Sequence, residues 1–380
     1  MIWLKSLKNL IDLMNLRNIL KLIFEKHKYV FFSEDKNYQK YFINFIKKID
    51  GKNEKFFYVS SEKDDYLVFQ NVTNVYIGKR FLRNIIFQII SSKFLFLTIT
   101  DLDNHDLKRS KLVKKYVYIF HSPMSIHRSY TKNAFDNYDI IFCTGDYQLN
   151  EFKKEDKIKP KLKREYIKSG YFYFDYLQDK YSIIKNKNHN NSLDTFLLAP
   201  SWNYNDDNFL NLQVIDVIEF LLTQKNKVIF RPHIEHLKRS SEILNSIKDK
   251  FSNNKNFEFD DNNNNFESMN KADILITDTS GISMEFCLIF KKPVIYFDKY
   301  LKIHNSEFTQ ISEKTIEDEV KSLFGYSYTN ENLDSFLDLI HQAKKDFLTK
   351  EKKIDEYLKC NFYNLNCSAE YSYNKINENS

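Results

Sequence analysis

Short apolar runs alternate along the chain with segments in which apolar residues recur every three or four positions. The runs are rich in β-branched and aromatic residues and predict strands at Tyr29–Phe32, Phe56–Val59, Val75–Ile77, Phe94–Thr98, Tyr116–Phe120, Ile140–Cys143, Tyr166–Lys168, Thr195–Leu198, Lys227–Phe230, Phe257–Phe259, Asp273–Thr277 and Pro293–Phe297. The periodic segments predict helices at Asn37–Lys48, Arg80–Ile90, Tyr147–Lys154, Phe209–Leu222, Leu237–Phe251 and Ser283–Phe290. This alternation is typical of parallel, doubly wound α/β sheets.

The elements fall into two sets, and 380 residues exceed the length of one ordinary domain. Residues 185–192 are polar, lack periodicity and predict a linker. We therefore expect an N-terminal helix at residues 1–27, Rossmann-like domains at residues 28–185 and 186–349, and a C-terminal helix with a frayed tail at residues 350–380. A ligand site is expected in the cleft between the two domains, at the carboxyl ends of the strands.

The first 27 residues combine helical apolar spacing with interspersed lysine and arginine. The charges interrupt any signal-peptide core, and no small-residue cleavage site follows. Two interpretations stay open. The segment is either a helix that packs on the first domain or an interfacial helix whose basic residues face lipid headgroups.

Composition excludes several classes of protein. The chain has only six glycines and contains neither the dinucleotide fingerprint nor a P-loop, so any phosphate is bound without a glycine-rich loop. The net charge of +6 is dispersed, and no nucleic-acid-binding motif is present. Four widely spaced cysteines favour a reduced, cytoplasmic protein, and no apolar run approaches the ~18 residues that span a bilayer.

The strongest candidate site is the segment from Ala272 to Glu285, in which an apolar strand is followed by Asp278, Thr279, Ser280 and Gly281 and then by a helix. Such a turn directs backbone N–H groups, hydroxyl groups and the helix dipole at a ligand, which suits a phosphate. Glu285 is one turn into the helix and could accept hydrogen bonds from ribose hydroxyls. The alternative is an ordinary Asp/Ser/Thr helix cap.

Two further strands end in histidine. Arg231 and His233 follow one strand around a proline and could clamp a diphosphate, although a surface histidine capped by Glu235 is the alternative. His121 follows another strand and could act as a general base; Ser122 and Arg128, just beyond it, are candidate substrate contacts. The acidic run Asp101–Asp106 has metal-like spacing, but such runs are common in turns, and we expect neither a metal nor another cofactor.

These segments, in this order, resemble the CDP-glycerol glycerophosphotransferase family of bacterial cell-surface polymer synthesis. The similarity spans roughly residues 115–300 and covers His121-Ser-Pro, Gly170-Tyr-Phe-Tyr-Phe-Asp175-Tyr-Leu177, Ala199-Pro-Ser201-Trp202, Arg231-Pro-His233, Ala272-Asp-Ile-Leu-Ile-Thr-Asp-Thr-Ser280 and Lys292-Pro293. The family has glycine after the first histidine and a second serine where Gly281 stands here.

The resemblance implies a GT-B-like fold in which an N-terminal acceptor domain faces a C-terminal nucleotide-donor domain. It implies transfer of glycerol phosphate or ribitol phosphate from a CDP-alditol to a hydroxyl of a glycan or lipid-linked acceptor in teichoic acid or capsule synthesis, with release of CMP. His121 and His233 would be catalytic, and Ser201 and Trp202 would join the donor contacts. The alternatives are a GT-B glycosyltransferase that uses a nucleotide sugar and an enzyme like UDP-sugar 2-epimerases. We expect a cytoplasmic enzyme, with peripheral contact at the inner face of the membrane left open.

Overall fold

The structure is a computed structural model that describes residues 2–105, 107–184, 193–203, 208–299, 302–330 and 332–378. Within these ranges the strands are β1 (Tyr29–Ser33), β2 (Phe56–Ser60), β3 (Val72–Tyr76), β4 (Ser92–Leu97), β5 (Val113–Ile119), β6 (Ile140–Cys143), β7 (Glu165–Lys168), β8 (Thr195–Leu198), β9 (Lys227–Phe230), β10 (Phe257–Phe259), β11 (Ile274–Thr277), β12 (Val294–Phe297) and β13 (Tyr326–Tyr328). The linker predicted at residues 185–192 lies outside the described residues.

The α-helices in the same ranges are α1 (Ile2–Phe24), α2 (Gln39–Gly51), α3 (Arg80–Phe87), α4 (Asp146–Ile158), α5 (Phe172–Ile184), α6 (Phe209–Leu212), α7 (Val214–Thr223), α8 (Ile234–Arg239), α9 (Ser241–Phe251), α10 (Phe266–Lys271), α11 (Gly281–Glu285), α12 (Ile316–Phe324), α13 (Phe336–Phe347), α14 (Glu351–Asn361) and α15 (Ser368–Glu378). Helix α11 continues directly as a π-helical turn, Phe286–Phe290.

The chain divides into two compact units. The first unit contains residues 1–121, 130–176 and 362–380, and the second contains residues 122–129 and 177–361. The eight residues that follow His121 therefore belong to the second unit, whereas the C-terminal helix α15 belongs to the first.

Each unit is built on a parallel sheet whose strands are paired in Rossmann order. The first sheet has the order β3-β2-β1-β4-β5-β6-β7, and the second has the order β10-β9-β8-β11-β12-β13. Strands β1, β2, β8 and β11 are buried at every residue, which explains their unbroken apolar runs. The strand order reverses between β1 and β4 and again between β8 and β11. The predicted α/β class with two Rossmann-like sheets is confirmed.

Sequence periodicity located most elements but missed several breaks. The segment predicted as one helix at Leu237–Phe251 is divided because Ser240 leaves the helical conformation. The short edge strand β13 gave too weak a pattern to predict. The frayed tail expected within residues 350–380 is wrong for the described part, where α14 and α15 form and α15 buries Ser368, Ser372 and Ile376.

Asp175 explains why the C-terminal segment is ordered. Its buried carboxylate accepts hydrogen bonds from the backbone N–H groups of Asn366 (2.9 Å) and Ser368 (3.0 Å), and from the Ser368 hydroxyl (2.5 Å). Gly170 adopts a positive φ of 86°, and any Cβ there would collide with the Tyr363 carbonyl. The glycine and aspartate of the Gly170–Leu177 motif thus hold the chain that enters α15.

Replacement of Asp175 by alanine should destabilise the first unit, because three donors lose their shared acceptor. We expect a loss of about 2–3 kcal/mol in the free energy of unfolding, measured by urea denaturation. Asp179→Ala, at an exposed position of the same helix, is the matched control and should change stability by less than about 0.5 kcal/mol. Equal stability of the two variants would contradict this role for Asp175.

Candidate functional site

The second unit gathers polar side chains at the carboxyl ends of its central strands. Ser201 and Trp202 follow β8, Asp278 to Gly281 follow β11, and His233 follows β9. Strands β8 and β11 are the neighbours at which the strand order reverses. Ligands of doubly wound sheets bind at this position, so the topology brings together motifs that are ~80 residues apart in sequence.

A buried carboxylate joins the two loops at this reversal. Asp278 accepts hydrogen bonds from the backbone N–H of Ser201 and from its hydroxyl, both at 2.7 Å. Burial raises the pKa of Asp278, and the hydrogen bonds from Ser201 oppose that rise. The Thr277 hydroxyl adds a hydrogen bond to the Ala199 carbonyl at 2.6 Å. Ser201 and Asp278, predicted as substrate contacts, are thus committed to each other and fix the shape of both loops.

His236 extends this arrangement and was not predicted. Its Nε2 lies 3.1 Å from the Ser201 carbonyl oxygen, and its ring packs edge-on against Trp202 with centroids 5.1 Å apart. Because a carbonyl only accepts, Nε2 carries the proton, and burial lowers the pKa of the ring. The signal in the sequence was the pair His233 and His236, one helical turn apart.

The turn after β11 leaves hydroxyl groups at the start of α11. Ser280 occupies the N-cap position, but its side chain makes no capping hydrogen bond. The predicted alternative of an ordinary hydroxyl cap is therefore not observed. Thr279 and Ser280 are both half-buried. Glu285, proposed to hold a ribose, is 3% exposed and accepts a hydrogen bond from the Asn265 amide at 3.3 Å.

Gly281 and Ser122 meet at this turn, within the second unit. A Cβ at Gly281 would collide with the Ser122 Oγ, so glycine is required by close approach. The Ser122 Oγ is buried and has no hydrogen-bond partner in the described part of the chain. Buried hydroxyl groups are nearly always hydrogen-bonded in native proteins. The predicted contact of Ser122 with a substrate is compatible with this unsatisfied hydroxyl and stays a prediction.

His233 is oriented by the backbone of the following helix. It is the N-cap residue of α8, and its Nδ1 accepts a hydrogen bond from the Glu235 N–H at 3.2 Å. Nδ1 is therefore unprotonated in the neutral ring, and Nε2 is the donor. The structure thus includes a backbone contact of the kind expected from the surface-cap interpretation, and the contact of His233 with a diphosphate stays a prediction.

Arg231 has a different environment from the one predicted. Its guanidinium donates to the Asp260 carboxylate (2.6 Å) and to the Asn262 carbonyl (2.6 Å), and the Ser268 hydroxyl also bonds to Asp260. The ion pair lowers the pKa of Asp260 against the opposing effect of burial, which is the largest influence. Arg231 therefore holds the Asp260–Asn262 loop, and its contact with a diphosphate stays a prediction.

Arg128 also differs from the sequence-based expectation. Its guanidinium forms a bidentate pair with Asp318 (2.5 and 2.8 Å) and donates to the Thr315 hydroxyl (3.0 Å). Thr315 and Asp318 lie at the start of α12. Ser125 also contacts this helix: its N–H donates to the Glu317 carboxylate, and its hydroxyl oxygen accepts the Ile316 N–H. The guanidinium therefore stabilises the Ser122–Ser129 segment. Its Nε makes no hydrogen bond among the described residues, and its contact with a substrate stays a prediction.

His121 follows β5 in the first unit. Strand β5 pairs with β4, one of the two strands between which the order of that sheet reverses. Its Nδ1 lies 3.1 Å from the Thr98 carbonyl oxygen and 3.3 Å from the Tyr118 hydroxyl. The carbonyl requires the proton on Nδ1, which leaves the lone pair on Nε2. The rings of Tyr38, Tyr41 and Tyr130 surround the imidazole, with centroids about 6 Å away. Ser122 is the next residue of the chain after His121.

The acidic run after β4 shows no metal-binding geometry in its described part, residues 101–105. Asp101 accepts the Thr131 hydroxyl at 2.7 and 2.8 Å, which accounts for its carboxylate. Among the described residues, no three His, Cys, Asp or Glu side chains are grouped so as to hold a metal ion. The last residue of the predicted run, Asp106, lies outside these residues.

The parallel sheets and their loops define a GT-B-like α/β fold. The sequence matches no protein-family model and no curated protein. Among solved structures, the wall teichoic acid polymerase TagF is similar at a TM-score of 0.64 and 16% identity, over 99% of this chain and 96% of that one. The UDP-GlcNAc 2-epimerase of Methanocaldococcus jannaschii, in complex with UDP-GlcNAc and UDP, is similar at 0.57 and 13%, over 93% and 99%. These similarities show the fold.

The contact between Gly281 and Ser122 can be tested by a double-mutant cycle. Gly281→Ala should lower the free energy of unfolding by about 1–3 kcal/mol, because the new methyl group displaces Ser122. Gly281 does not have a positive φ, so alanine is otherwise tolerated. In a Ser122→Ala background, which removes the colliding oxygen, the penalty should largely disappear. Strictly additive effects in urea denaturation would contradict the proposed contact.

Proposed function

We propose that this protein is a glycerophosphotransferase-like enzyme that moves glycerol phosphate or ribitol phosphate from a CDP-alditol to a hydroxyl of a glycan or lipid-linked acceptor. The observation that carries the proposal is the pair of hydroxyl groups, from Ser122 and Ser280, at the turn after β11. There the unpartnered Ser122 Oγ lies beside Gly281, and the Ser280 hydroxyl makes no cap. The fold shared with TagF, one of whose structures was obtained after a soak with CDPG, supports this donor class.

The reaction joins the acceptor oxygen to the distal phosphorus of the donor. That phosphorus gains a bond to the acceptor oxygen and loses its bond to the bridging oxygen, whose electron pair leaves with CMP. The acceptor hydroxyl gives its proton to a base, and we assign this step to Nε2 of His121. Its orientation suits the role because Nδ1–H is held by the Thr98 carbonyl.

The donor would be held mainly by the second unit. The hydroxyls of Thr279, Ser280 and Ser122 and the backbone at Gly281 would bind phosphate oxygens. The Nε2–H of His233 would donate to the phosphate of the departing CMP. Glu285 is assigned to the ribose and Trp202 to a contact with the nucleotide. Asp278 and Ser201 would act indirectly, because their mutual hydrogen bonds set the shape of the two loops.

A nucleotide-sugar enzyme is the second candidate. It is favoured by the shared fold of the epimerase from Methanocaldococcus jannaschii, which was solved with UDP-GlcNAc and UDP. The two candidates differ in the base and in the group beyond the diphosphate. Thermal shift with CDP, CDP-glycerol, UDP and UDP-GlcNAc separates them, since a ligand that binds the folded state raises its melting temperature.

We also propose that the first unit contacts an anionic membrane surface. Within the described residues, no helix combines the length and apolar character needed to cross a bilayer. Helix α1 instead lies along the edge strand β3, where the Asn15 amide exchanges hydrogen bonds with the Tyr76 N–H and carbonyl, both at 2.9 Å. The helix therefore packs on the first unit, yet its opposite face is apolar and exposed: Leu13, Leu16, Leu20 and Phe24.

Helix α3 adds a second exposed apolar face. Phe81, Leu82, Ile85 and Ile89 are all exposed in or just after it, and Phe81 is 78% exposed. The Ser91 N–H bonds to the Leu22 carbonyl at 3.2 Å, which ties the chain after α3 to α1. Cationic residues are interspersed in the sequence of α1 and at the start of α3: Arg17, Lys21, Lys79, Arg80 and Arg83. Apolar residues with flanking cations suit the interface of an anionic bilayer.

Activity should be measured as release of CMP from CDP-glycerol and CDP-ribitol, with and without glycan acceptors. His121→Ala should lower the turnover rate by about 10²–10⁴-fold while leaving CDP affinity nearly unchanged, because the base does not hold the nucleotide. His341→Ala, at an exposed position, is the control. Absence of CMP release and of CDP binding with both donors would overturn the proposed function. Full activity of His121→Ala would remove only the base assignment.

Membrane contact should be measured by co-sedimentation with vesicles of phosphatidylglycerol and phosphatidylcholine, compared with phosphatidylcholine alone. The protein should sediment with the anionic vesicles and be released by salt in part. Phe81→Ser combined with Ile85→Ser should weaken binding by about tenfold or more, since two exposed apolar side chains that would enter the bilayer are lost. Leu348→Ser, which removes an 83% exposed leucine from the second unit, should have no effect. Equal sedimentation of all variants would contradict the proposed surface.

A further inference from the structure

Tyrosine rings lie around His121 in the first unit, and no motif in the sequence pointed to them. The ring centroids of Tyr38 and Tyr41 are each 6.1 Å from that of the imidazole, and Tyr130 is at 5.9 Å. Tyr38 and Tyr41, called the tyrosine pair below, are 6.3 Å from each other and tilted by 50°. All of these residues belong to the first unit, so the arrangement lies within one compact body.

The topology places the tyrosine pair beside the reversal point of the first sheet. Both residues stand at the start of α2, the helix that follows β1: Tyr38 directly precedes the helix, and Tyr41 lies in its first turn. The neighbour of β1 across the reversal is β4. The carbonyl of Thr98, directly after β4, accepts the Nδ1 proton of His121. Ligands of doubly wound sheets bind at such a position, so the first unit has a candidate site of its own.

Buried contacts hold the start of α2 in place. The Gln39 amide donates to the Asp65 carboxylate at 2.6 Å, and the same carboxylate accepts the hydroxyls of Tyr58 (3.0 Å) and Ser60 (2.6 Å). The helix also buries four apolar side chains: Phe42, Phe45, Ile46 and Ile49. The backbone that carries the tyrosine pair is therefore fixed before any ligand arrives, which lowers the entropic cost of binding.

The tyrosine pair is covered only in part. Tyr171 stacks on Tyr41 with centroids 6.5 Å apart, and Tyr173 meets Tyr41 edge-on at 5.2 Å. Tyr171 and Tyr173 are buried, whereas Tyr38, Tyr41 and His121 are only half-buried. Each tyrosine of the pair thus combines an apolar ring supported from below with surface that a ligand can contact.

The proposed reaction limits where the acceptor can lie. Its hydroxyl must come within about 3 Å of Nε2 of His121 to lose its proton there. The carbon atoms next to that hydroxyl then lie close to rings whose centroids are 6.1 Å from the imidazole. A pyranose sugar has flat faces of C–H groups and a rim of hydroxyls, so it can pack on aromatic rings and still form hydrogen bonds. Open-chain alditols and acyl chains have no such rigid face.

We propose that Tyr38 and Tyr41 bind a pyranose ring of the acceptor and present one of its hydroxyls to Nε2 of His121. The inference rests on the proposed function for the reaction, and it narrows the acceptor hydroxyl to one that a sugar ring carries. The tyrosine pair determines acceptor specificity and takes no part in the proton transfer. Tyr130 is 8% exposed and packs against the imidazole without contributing to the sugar surface.

Sugar binding should be measured by saturation-transfer difference NMR on the full-length protein without a donor. The pyranose probes are methyl β-glucoside and methyl N-acetyl-β-glucosaminide, and the open-chain probes are ribitol and glycerol. The pyranoses should bind more tightly than the alditols. Tyr38→Leu and Tyr41→Leu should each weaken pyranose binding by about three- to tenfold, the range for one lost aromatic contact. Tyr41→Phe keeps the ring and should bind within about twofold of the unchanged protein.

Tyr66→Leu is the matched control. It makes the same substitution at a 58% exposed tyrosine of the first unit, outside the tyrosine pair. Sugar binding by this variant should equal that of the unchanged protein. A loss of binding as large as that of Tyr41→Leu would show that the effect is not specific to the proposed surface and would overturn the inference.

Kinetics separate a sugar contact from a merely structural role. With an acceptor glycan, Tyr41→Leu should raise the KM of the acceptor by about three- to tenfold and leave CDP affinity nearly unchanged. Without an acceptor, water is the nucleophile, and CMP release then reports hydrolysis of the donor, which needs His121 but no sugar. The hydrolysis rate should stay within about twofold of that of the unchanged protein. If Tyr41 only oriented the imidazole, Tyr41→Leu would slow hydrolysis and transfer together, which would overturn the inference.

The outcomes separate this inference from the proposed function. Equal pyranose binding by the unchanged protein and both leucine variants would overturn the assignment of the tyrosine pair while the proposed transferase stands. Tighter binding of the alditols, or no binding of any of the four probes, would also overturn it. Pyranose binding that requires Tyr41, in a protein that neither binds CDP nor releases CMP, would support the sugar site and refute the proposed donor class. If Tyr41→Leu does not fold, Tyr38→Leu decides.

Discussion

The buried hydrogen bonds between Asp278 and Ser201 are the interaction on which the candidate site depends. They join the loops after β8 and β11, the two strands at which the order of the second sheet reverses. His236 bonds to the Ser201 carbonyl, and Trp202 packs on His236. The positions of His236 and Trp202 therefore also depend on the pair Asp278 and Ser201. A carboxylate this well covered is stable only if its acceptor capacity is used. The motif residues at this point therefore fix geometry, and the half-buried hydroxyls of Thr279 and Ser280 lie directly beside them in the chain.

The sequence predicted the sheets well because buried parallel strands are nearly continuous apolar runs. Strands β6, β8, β9 and β10 begin and end where those runs do. The roles of the charged residues were predicted less well. Arg128 and Arg231 stand beside the expected site in sequence, but their partners, Asp318 and Asp260, are 190 and 29 residues away. Ion pairs at that separation leave no periodic signal in a single sequence. His236 was missed for a similar reason, since its contact with the Ser201 carbonyl spans 35 residues.

The scarcity of glycine and the hydrogen bonds of nearby cations both limit how the second unit could bind an anion. With six glycines, the chain cannot surround a phosphate with a glycine-rich loop. One of them, Gly281, provides clearance for Ser122, and side chains would have to compensate the charge of a phosphate bound as proposed. Arg128 and Arg231 are used to hold loops, and Lys292 holds the end of α10. A phosphate bound as proposed would therefore depend largely on the hydroxyl groups of Ser122, Thr279 and Ser280.

The two strand-end histidines show how backbone contacts assign different chemistry to one residue type. His121 donates its Nδ1 proton to the Thr98 carbonyl, so its Nε2 presents a lone pair. His233 accepts the Glu235 N–H at Nδ1, so its Nε2 presents a proton. A neutral imidazole offers one donor and one acceptor, and the group that contacts Nδ1 decides which remains. Phosphoryl transfer to a hydroxyl needs a proton acceptor at the nucleophile and a hydrogen-bond donor at the leaving group. In the proposed reaction, His121 would accept the proton and His233 would donate to the leaving group, and the main-chain contact at each Nδ1 sets the tautomer that its role requires.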